Sequence, residues 1–235
     1  MIHRERPPMA GAQSRSAAET LKRRIALTLC LAALIVLGAG LYPLLAPLGT
    51  PTAGEHYTDL GAPERPPRGP IPVVEFFSYG CVHCKNFDPQ IEAWKETLPE
   101  DVRFTRAPVA FSASWGLLAK AYYAADRLGI LAANHSRLFD ALHEAGLALN
   151  TEDAVVQFFD GHGTDGRTFR RALRDPKINE ALAEDAALAR RFGIRAVPTL
   201  VVDGRYRIDD PNLSRQQILE VADALITQAR EARSP

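Results

Sequence analysis

The sequence predicts an α/β fold, in which a parallel β-α-β unit is followed by a long helical block, a β-hairpin and a final helix. Three observations predict it. The run PVVEFFS (72–78) is apolar enough for a strand that is buried on both faces. Helix-type segments separated by Gly or Pro fill residues 112–192. Further on, Asp203-Gly204 separates two strand-like runs, which is a strong hairpin signal.

The β-α-β unit is predicted from its apolar spacing. HYTDL (56–60) is a candidate short edge strand, and PVVEFFS is the first core strand. A helix follows, which Pro89 should kink and Pro99 should help to end. Its apolar stripe recurs every three or four residues, at Phe87, Ile91, Trp94 and Leu98. DVRFTRAPVAF (101–111) is the next strand candidate, so the order strand, helix, strand indicates a parallel pair.

The rest of the chain continues this pattern. Gly193 follows the last segment of the helical block, where a left-handed helix cap belongs. The hairpin is predicted over TLVV-DG-RYRI (199–208). Ser214 and Gln217 form a capping box for the final helix. The apolar stripe of this helix consists of Ile218, Val221, Leu225 and Ala229.

The N-terminal part of the chain indicates export. Residues 1–24 carry six Lys/Arg against two acids, and residues 25–48 contain no charge, so they predict a transmembrane anchor with a cytoplasmic N-terminus. A cleaved signal peptide is the alternative. Residues 49–70, rich in Pro and Gly, are predicted to be a tether. The remaining residues of the chain hold 22 basic against 26 acidic side chains, so nucleic acid is not an expected partner.

Export limits the cysteine chemistry. Cys30 lies in the apolar span, which leaves Cys81 and Cys84 in a compartment that permits disulfides. A zinc site is not expected, because there is one Cys pair and the other histidines stand singly, as surface or helix residues. Those histidines are His56, His135, His143 and His162. A purely structural disulfide is also a poor explanation, since a bond across three positions closes a very small loop.

Two reactive thiols fit the position of the pair, where a buried strand ends and a helix begins. Free N–H groups and the positive end of the helix dipole favour a thiolate at Cys81, and His83 adds a donor or a charge. Cys84, one turn into the helix, should be more buried. A lowered Cys81 pKa stabilises the reduced form, which makes the disulfide an oxidant.

EFFSYGCVHCKNF, followed much later by IRAVPTLVVDGRY, resembles the DsbA family of exported thiol:disulfide oxidoreductases. The resemblance spans about residues 55 to 232. It implies a thioredoxin fold over residues 71–235 with a large helical insertion at about 112–192.

The resemblance also implies roles for individual residues. Cys81 corresponds to the exposed nucleophile, Cys84 to the resolving thiol and His83 to the residue that stabilises the thiolate. Glu75 corresponds to a buried acid that helps to move the Cys84 proton. Arg106 stands where a Lys often pairs with that acid, and because Arg does not give up its proton, this weakens a proton relay.

The substrate-contacting residues are implied in the same way. Val197-Pro198 matches a loop whose proline is cis and which presents the backbone of Val197 to an extended substrate as an added strand. Val82, between Cys81 and His83, stands where many members carry Pro and is also expected to meet substrate.

The function expected from these features is donation of the Cys81–Cys84 disulfide to newly exported, unfolded proteins in the periplasm. No cofactor is expected beyond this redox-active disulfide, no metal is expected, and a monomer is expected. The resemblance implies reoxidation by a DsbB-like membrane quinone reductase, with residues 25–48 tethering the enzyme to the inner membrane. A disulfide isomerase or reductase of the same fold, or a non-catalytic chaperone-like binder of unfolded chains, are the alternatives.

Overall fold

The computed structural model describes residues 49–62 and 69–233, together with Arg24 and Leu27. The predicted cytoplasmic segment (1–24) and anchor (25–48) otherwise lie outside the described residues, as does the middle of the tether. In the described part of the chain, no helix has both the length and the apolar character needed to cross a bilayer. The anchor, like the domain boundaries, stays a prediction.

The described residues form five strands and seven helices. The strands are β1 (Thr58–Asp59), β2 (Ile71–Phe77), β3 (Val102–Pro108), β4 (Thr199–Val202) and β5 (Tyr206–Ile208). The helices are α1 (Val82–Lys95), α2 (Ala113–Arg127), α3 (Leu131–His143), α4 (Glu152–Phe159), α5 (Gly166–Leu173), α6 (Pro176–Arg191) and α7 (Arg215–Arg233).

The strands make one mixed sheet in the order β1-β5-β4-β2-β3. β2 and β3 are parallel with α1 between them, as predicted, and β4 runs antiparallel to β2. β1, inside the predicted tether, pairs with β5 as a short edge strand. The β4–β5 turn has Asp203 and Gly204 at φ 56° and 64°, so the Asp-Gly sequence supplies the positive φ angles that this tight turn requires.

Apolar side chains cover both faces of the sheet. On one face, Val73 and Leu200 pack with Phe87 of α1 and Leu225 of α7. On the other face, Phe76 and Val201 pack with residues that follow α6, including Phe192. Burial of these strands on both faces explains why their sequences are nearly continuous apolar runs.

Helices α2 to α6 form the insertion between β3 and β4 and have their own core. In this core the rings of Phe159 and Phe169 stack with centroids 4.0 Å apart. The same cluster of buried residues includes Phe77, at the end of β2, and both Cys81 and Cys84. The insertion therefore packs directly over the start of α1, where the two cysteines lie.

The ends of the elements follow the predicted signals with one difference. Gly193 caps α6 at φ 64°, and the Ser214–Gln217 capping box forms with both of its hydrogen bonds, at 2.9 and 3.2 Å. Leu98 was predicted to belong to the α1 stripe, but α1 ends at Lys95. The half-buried Leu98 instead packs on the core from the turn that precedes Pro99.

Candidate active site

Cys81 is the N-cap residue of α1. Strand β2 ends at Phe77, and a turn brings the chain to Cys81, whose backbone N–H donates to the Ser78 carbonyl at 3.1 Å. Cys81 has extended dihedrals (φ −101°, ψ 115°), and its Sγ accepts a hydrogen bond from the Cys84 N–H at 3.4 Å. The sulfur therefore takes the place that a Ser or Asp oxygen usually has at a helix N-terminus.

This position favours negative charge on Cys81. A hydrogen bond from the Cys84 thiol lowers the pKa of Cys81 to about 6, with help from the backbone N–H groups of Cys84 and His83 and from the positive charge that His83 can carry. Burial opposes this shift. The lowered pKa is the one expected for a thiol at a helix N-terminus.

The two sulfurs are both shielded and are in the dithiol form. Cys81 is 7% exposed and Cys84 is 1% exposed, so Cys84 is the more buried, as predicted. The resemblance implies an exposed Cys81, but the thiol is largely buried because the helical insertion packs beside it. Burial raises the pKa of Cys84 far above its ordinary value, and the negative charge of Cys81 raises it further.

The loop before β4 faces Cys81. The Val197–Pro198 bond is cis, as the resemblance implies. The carbonyl oxygen of Val197 accepts a hydrogen bond from the Cys81 thiol at 3.4 Å. The structure thus brings Val197 and Pro198 together with the CVHC segment, although the two regions are far apart in sequence.

Exposed side chains lie on the first turn of α1 and just before α2. Val82 is 47% exposed and His83 is exposed on the first turn of α1. Phe111 is 51% exposed and stacks on Trp115 of α2 at 5.8 Å. Trp115 also lies close against Gly80, where an added Cβ would be 2.3 Å from the indole Nε1. Val82 and His83 are thus the exposed neighbours of Cys81 in the chain, while Trp115 packs on the turn that precedes it.

A buried ion-pair network lies behind the cysteines. Glu75 on β2 is buried, and Arg106 on β3 donates from Nε to its Oε2 at 2.7 Å. The other two nitrogens of Arg106 donate to Asp88 Oδ1 at 2.9 Å and to Glu92 Oε1 at 2.6 Å, both on α1. Arg106 thus anchors Glu75, as predicted, but it is shared among three carboxylates.

Burial and these neighbouring charges leave Glu75 with an unusual proton affinity. Burial raises the pKa of Glu75 to about 7, and the charges of Asp88 and Glu92 raise it too, while Arg106 lowers it. The same carboxylates raise the pKa of Arg106, which stays protonated. Glu75 can therefore exchange a proton near neutral pH, whereas Arg106 cannot.

The structure adds three residues that the sequence analysis did not select, Tyr79, Asp88 and His135. The prediction that His135 is an ordinary surface or helix residue is incomplete, because it is buried and hydrogen-bonded to both Asp88 and Tyr79. Its position four residues after Leu131 and four before Phe139 on α3 places it on the apolar face, which is the one sequence signal for its burial.

Asp88, Glu92 and His135 are also, in the described part of the chain, the one group of potential metal ligands within 4.8 Å of one another. The Arg106 guanidinium donates to both of these carboxylates. Because the Arg106 guanidinium already supplies the positive charge between these oxygens, the group is an ion-pair network and does not resemble a metal site.

The comparisons with known proteins agree with this geometry. The family described as DSBA-like thioredoxin domain matches residues 114–220. The thiol:disulfide interchange protein DsbA of Azotobacter vinelandii is 37% identical over 183 residues, which cover 77% of this chain and 85% of that protein. DsbA of Pseudomonas aeruginosa strain PAO1 is 33% identical over 198 residues, covering 83% and 93%.

Solved structures give the same result. The oxidoreductase DsbA from Xylella fastidiosa superposes with a TM-score of 0.72 at 33% identity, covering 78% of this chain and all of that chain. Pseudomonas aeruginosa DsbA gives a TM-score of 0.73 at 34% identity, covering 77% and 96%. The fold, the CVHC segment at a helix start and these similarities show that the chain belongs to the DsbA family of thiol:disulfide oxidoreductases.

Proposed function

We propose that the Cys81–Cys84 disulfide of this protein oxidises newly exported, unfolded proteins. A substrate thiolate attacks Cys81 Sγ, which forms a mixed disulfide and breaks the bond to Cys84, and Cys84 then takes up a proton. A second substrate thiolate attacks the substrate sulfur of the mixed disulfide and releases Cys81 as a thiolate. Two electrons pass to the enzyme for each disulfide formed in the substrate.

The observation that carries the direction of this reaction is the set of donors around Cys81. The Cys84 N–H and the Cys84 thiol both stabilise a thiolate at Cys81. A stable thiolate is a good leaving group in the second step, and it favours the reduced enzyme over the oxidised one. The disulfide form therefore tends to pass its bond to other proteins.

Glu75 has the proposed role of exchanging the Cys84 proton. Cys84 leaves as a thiolate in the first step, but its buried surroundings disfavour that charge. Glu75 is buried behind the same helix turn and has a pKa of about 7, which suits an acid at neutral pH. Arg106 holds this carboxyl in place without taking part in proton transfer.

Substrate recognition is proposed to rest on Val197 and Val82. The Val197 carbonyl next to Cys81 can accept a hydrogen bond from an extended chain, which requires no particular substrate sequence. Val82, which follows Cys81 and is exposed, offers an apolar contact next to the thiol. Backbone contacts plus one apolar surface suit an enzyme that acts on many unfolded proteins.

The proposed site of action is the periplasm. The basic and apolar N-terminal segments support a tether to the inner membrane by residues 25–48, with the N-terminus in the cytoplasm. A membrane quinone reductase of the DsbB type is the proposed partner that reoxidises Cys81 and Cys84. Tethering would keep the enzyme close to this partner and to emerging substrates.

The test is oxidation of reduced, unfolded ribonuclease by the purified, oxidised protein. Recovery of ribonuclease activity is expected with the unaltered protein and is expected to be lost in Cys81→Ala. Activity that survives in Cys81→Ala would remove the proposal. Equilibration with glutathione then separates an oxidase from a reductase or isomerase, because an oxidase is reduced under conditions that leave thioredoxin-like proteins oxidised.

A further inference from the structure

His135 connects the helical insertion to the buried network behind the cysteines. It lies on α3 and is 5% exposed. Its Nε2 is 3.0 Å from Asp88 Oδ1, and its Nδ1 is 2.6 Å from the Tyr79 hydroxyl. Nothing in the chemistry of the two cysteines requires a histidine at this place, so its two hydrogen bonds need an explanation.

The partners determine which nitrogen carries the proton. Asp88 Oδ1 also accepts a hydrogen bond from Arg106, so this oxygen is an acceptor, and His135 donates to it from Nε2. The Nδ1 is then the acceptor for the Tyr79 hydroxyl. Burial lowers the pKa of His135, which agrees with a neutral ring in this single tautomer.

The His135 bond affects how Arg106 is shared. Asp88 Oδ1 accepts from both His135 and Arg106, and the same guanidinium donates to Glu75. Without the His135 donor, the Asp88 charge would be less compensated and would attract Arg106 more strongly. Arg106 would then stabilise the Glu75 carboxylate less, and the negative charge of Asp88 would oppose its ionisation more strongly. The pKa of Glu75 would therefore rise.

We propose that His135 is a positioning residue for the redox reaction: by donating to Asp88, it leaves Arg106 available to Glu75 and so sets the proton affinity of that acid. The helical insertion would thus tune the proton exchange of Cys84 as well as cover the active site. The inference rests on the proposed role of Glu75, and the experiment below tests the two separately.

The other charged or titratable groups around Glu75 and His135 are part of the same balance. They are Tyr79 in the turn before α1; Cys84, Asp88, Glu92 and Lys95 on α1; Arg106 on β3; and Tyr122 and Asp126 on α2. Of these, Asp88 is the one that bonds to His135 and Arg106 at the same oxygen, which makes it the point of coupling.

Two polar variants separate the bonds of His135. In His135→Gln the amide can reach the place of Nε2 and still donate to Asp88, but nothing remains at Nδ1. In His135→Asn the amide reaches the place of Nδ1 and can still accept from Tyr79, but the donor to Asp88 is lost. Tyr79→Phe is a further control, which removes the Tyr79–His135 bond and leaves the Asp88 side intact.

The measurement is the pKa of the Glu75 carboxyl in the reduced full chain, from NMR of carboxyl-labelled glutamate, with the signal assigned by its absence in Glu75→Gln. The unaltered protein should titrate at about 7. His135→Asn should shift the Glu75 pKa upward by about one unit, while His135→Gln and Tyr79→Phe should keep it. A loss of stability alone would not produce this pattern.

Two further outcomes separate the two proposals. A folded His135→Asn variant with an unshifted Glu75 pKa, or a Tyr79→Phe variant shifted as much, would overturn the role of His135. The role of Glu75 is tested by the pH dependence of mixed-disulfide resolution. If Glu75→Gln keeps the pH profile of the unaltered protein, the proton-exchange role in the proposed function fails, whatever the His135 variants show.

Discussion

The sulfur of Cys81 lies where α1 has its first N–H groups without helical partners, and it accepts one of them. A neutral thiol is a weak acceptor there, whereas a thiolate is a strong one. The geometry therefore favours ionisation of Cys81 and disfavours that of Cys84, which lies one turn further along the helix in a buried position. Cys81 and Cys84 therefore differ in acidity because one lies at the start of the helix and the other lies one turn inside it.

Arg106 is the second residue whose surroundings determine its role. It is the cation common to three carboxylates, two of them buried. Arg106→Leu should lower the free energy of unfolding at pH 7 by about 3–5 kcal/mol, because it leaves two buried carboxyl groups without the cation that they share. Urea denaturation measures this cost, which should become smaller as the pH falls and the carboxylates take up protons.

Glu92→Gln provides the matched control for Arg106. It removes one of the same ion pairs, but the Glu92 side chain is 38% exposed. Its loss should cost less than about 1 kcal/mol. Equal costs for the two variants would show that burial does not determine the strength of this network.

At the scale of elements, the turn between β2 and α1 depends on the helical insertion. Gly80 has no side chain, and the Trp115 indole of α2 occupies the space that a Cβ would need. Gly80→Ala should therefore displace Trp115 and lower the free energy of unfolding by about 1–3 kcal/mol. The resonance of the Trp115 indole N–H should shift as well.

Gly116→Ala, on the same helix as Trp115, is the control. A Cβ at Gly116 would be 3.6 Å from Ala110 Cβ, which is an ordinary contact. Because alanine favours helices, this variant should be neutral or more stable by about 0.5–1 kcal/mol. If Gly80→Ala behaved like Gly116→Ala, the close packing of the insertion on the active-site turn would be contradicted.

The elements themselves were largely predictable from the sequence, because apolar periodicity and caps are local signals. The hairpin at Asp203-Gly204 and the capping box at Ser214 are examples. Leu98 was assigned to α1 because it continues the stripe, although a turn before a proline can bury a side chain equally well. Helix ends depend on one or two hydrogen bonds and are therefore less certain than helix centres.

The candidate site was predictable only in part. The CVHC segment and the Val197-Pro198 pair carry signals of their own, but the partners of Glu75 beyond Arg106 do not. His135 meets Asp88 and Tyr79 across 47 and 56 positions of sequence, through the packing of α3 on α1. No local pattern reports such contacts, so the network appears only when the fold is known.

At the scale of the whole molecule, the stability of the dithiol form is linked to pH through Cys81. Its pKa is about 6 in the fold, against an ordinary value of 9.0. A lowered pKa contributes stability that is fully present above pH 9 and is lost as the pH falls through 6. At pH 7, one unit above the folded value, this shift adds about 1.4 kcal/mol to the free energy of unfolding of the reduced protein.

Titration of the Cys81 thiol in the reduced protein tests this account most directly. The ultraviolet absorbance of the thiolate, corrected with a Cys81→Ala variant, should report ionisation at a pKa of about 6. That result would support the stabilised thiolate from which the direction of the reaction was argued. Ionisation near the ordinary value of 9.0 would contradict it.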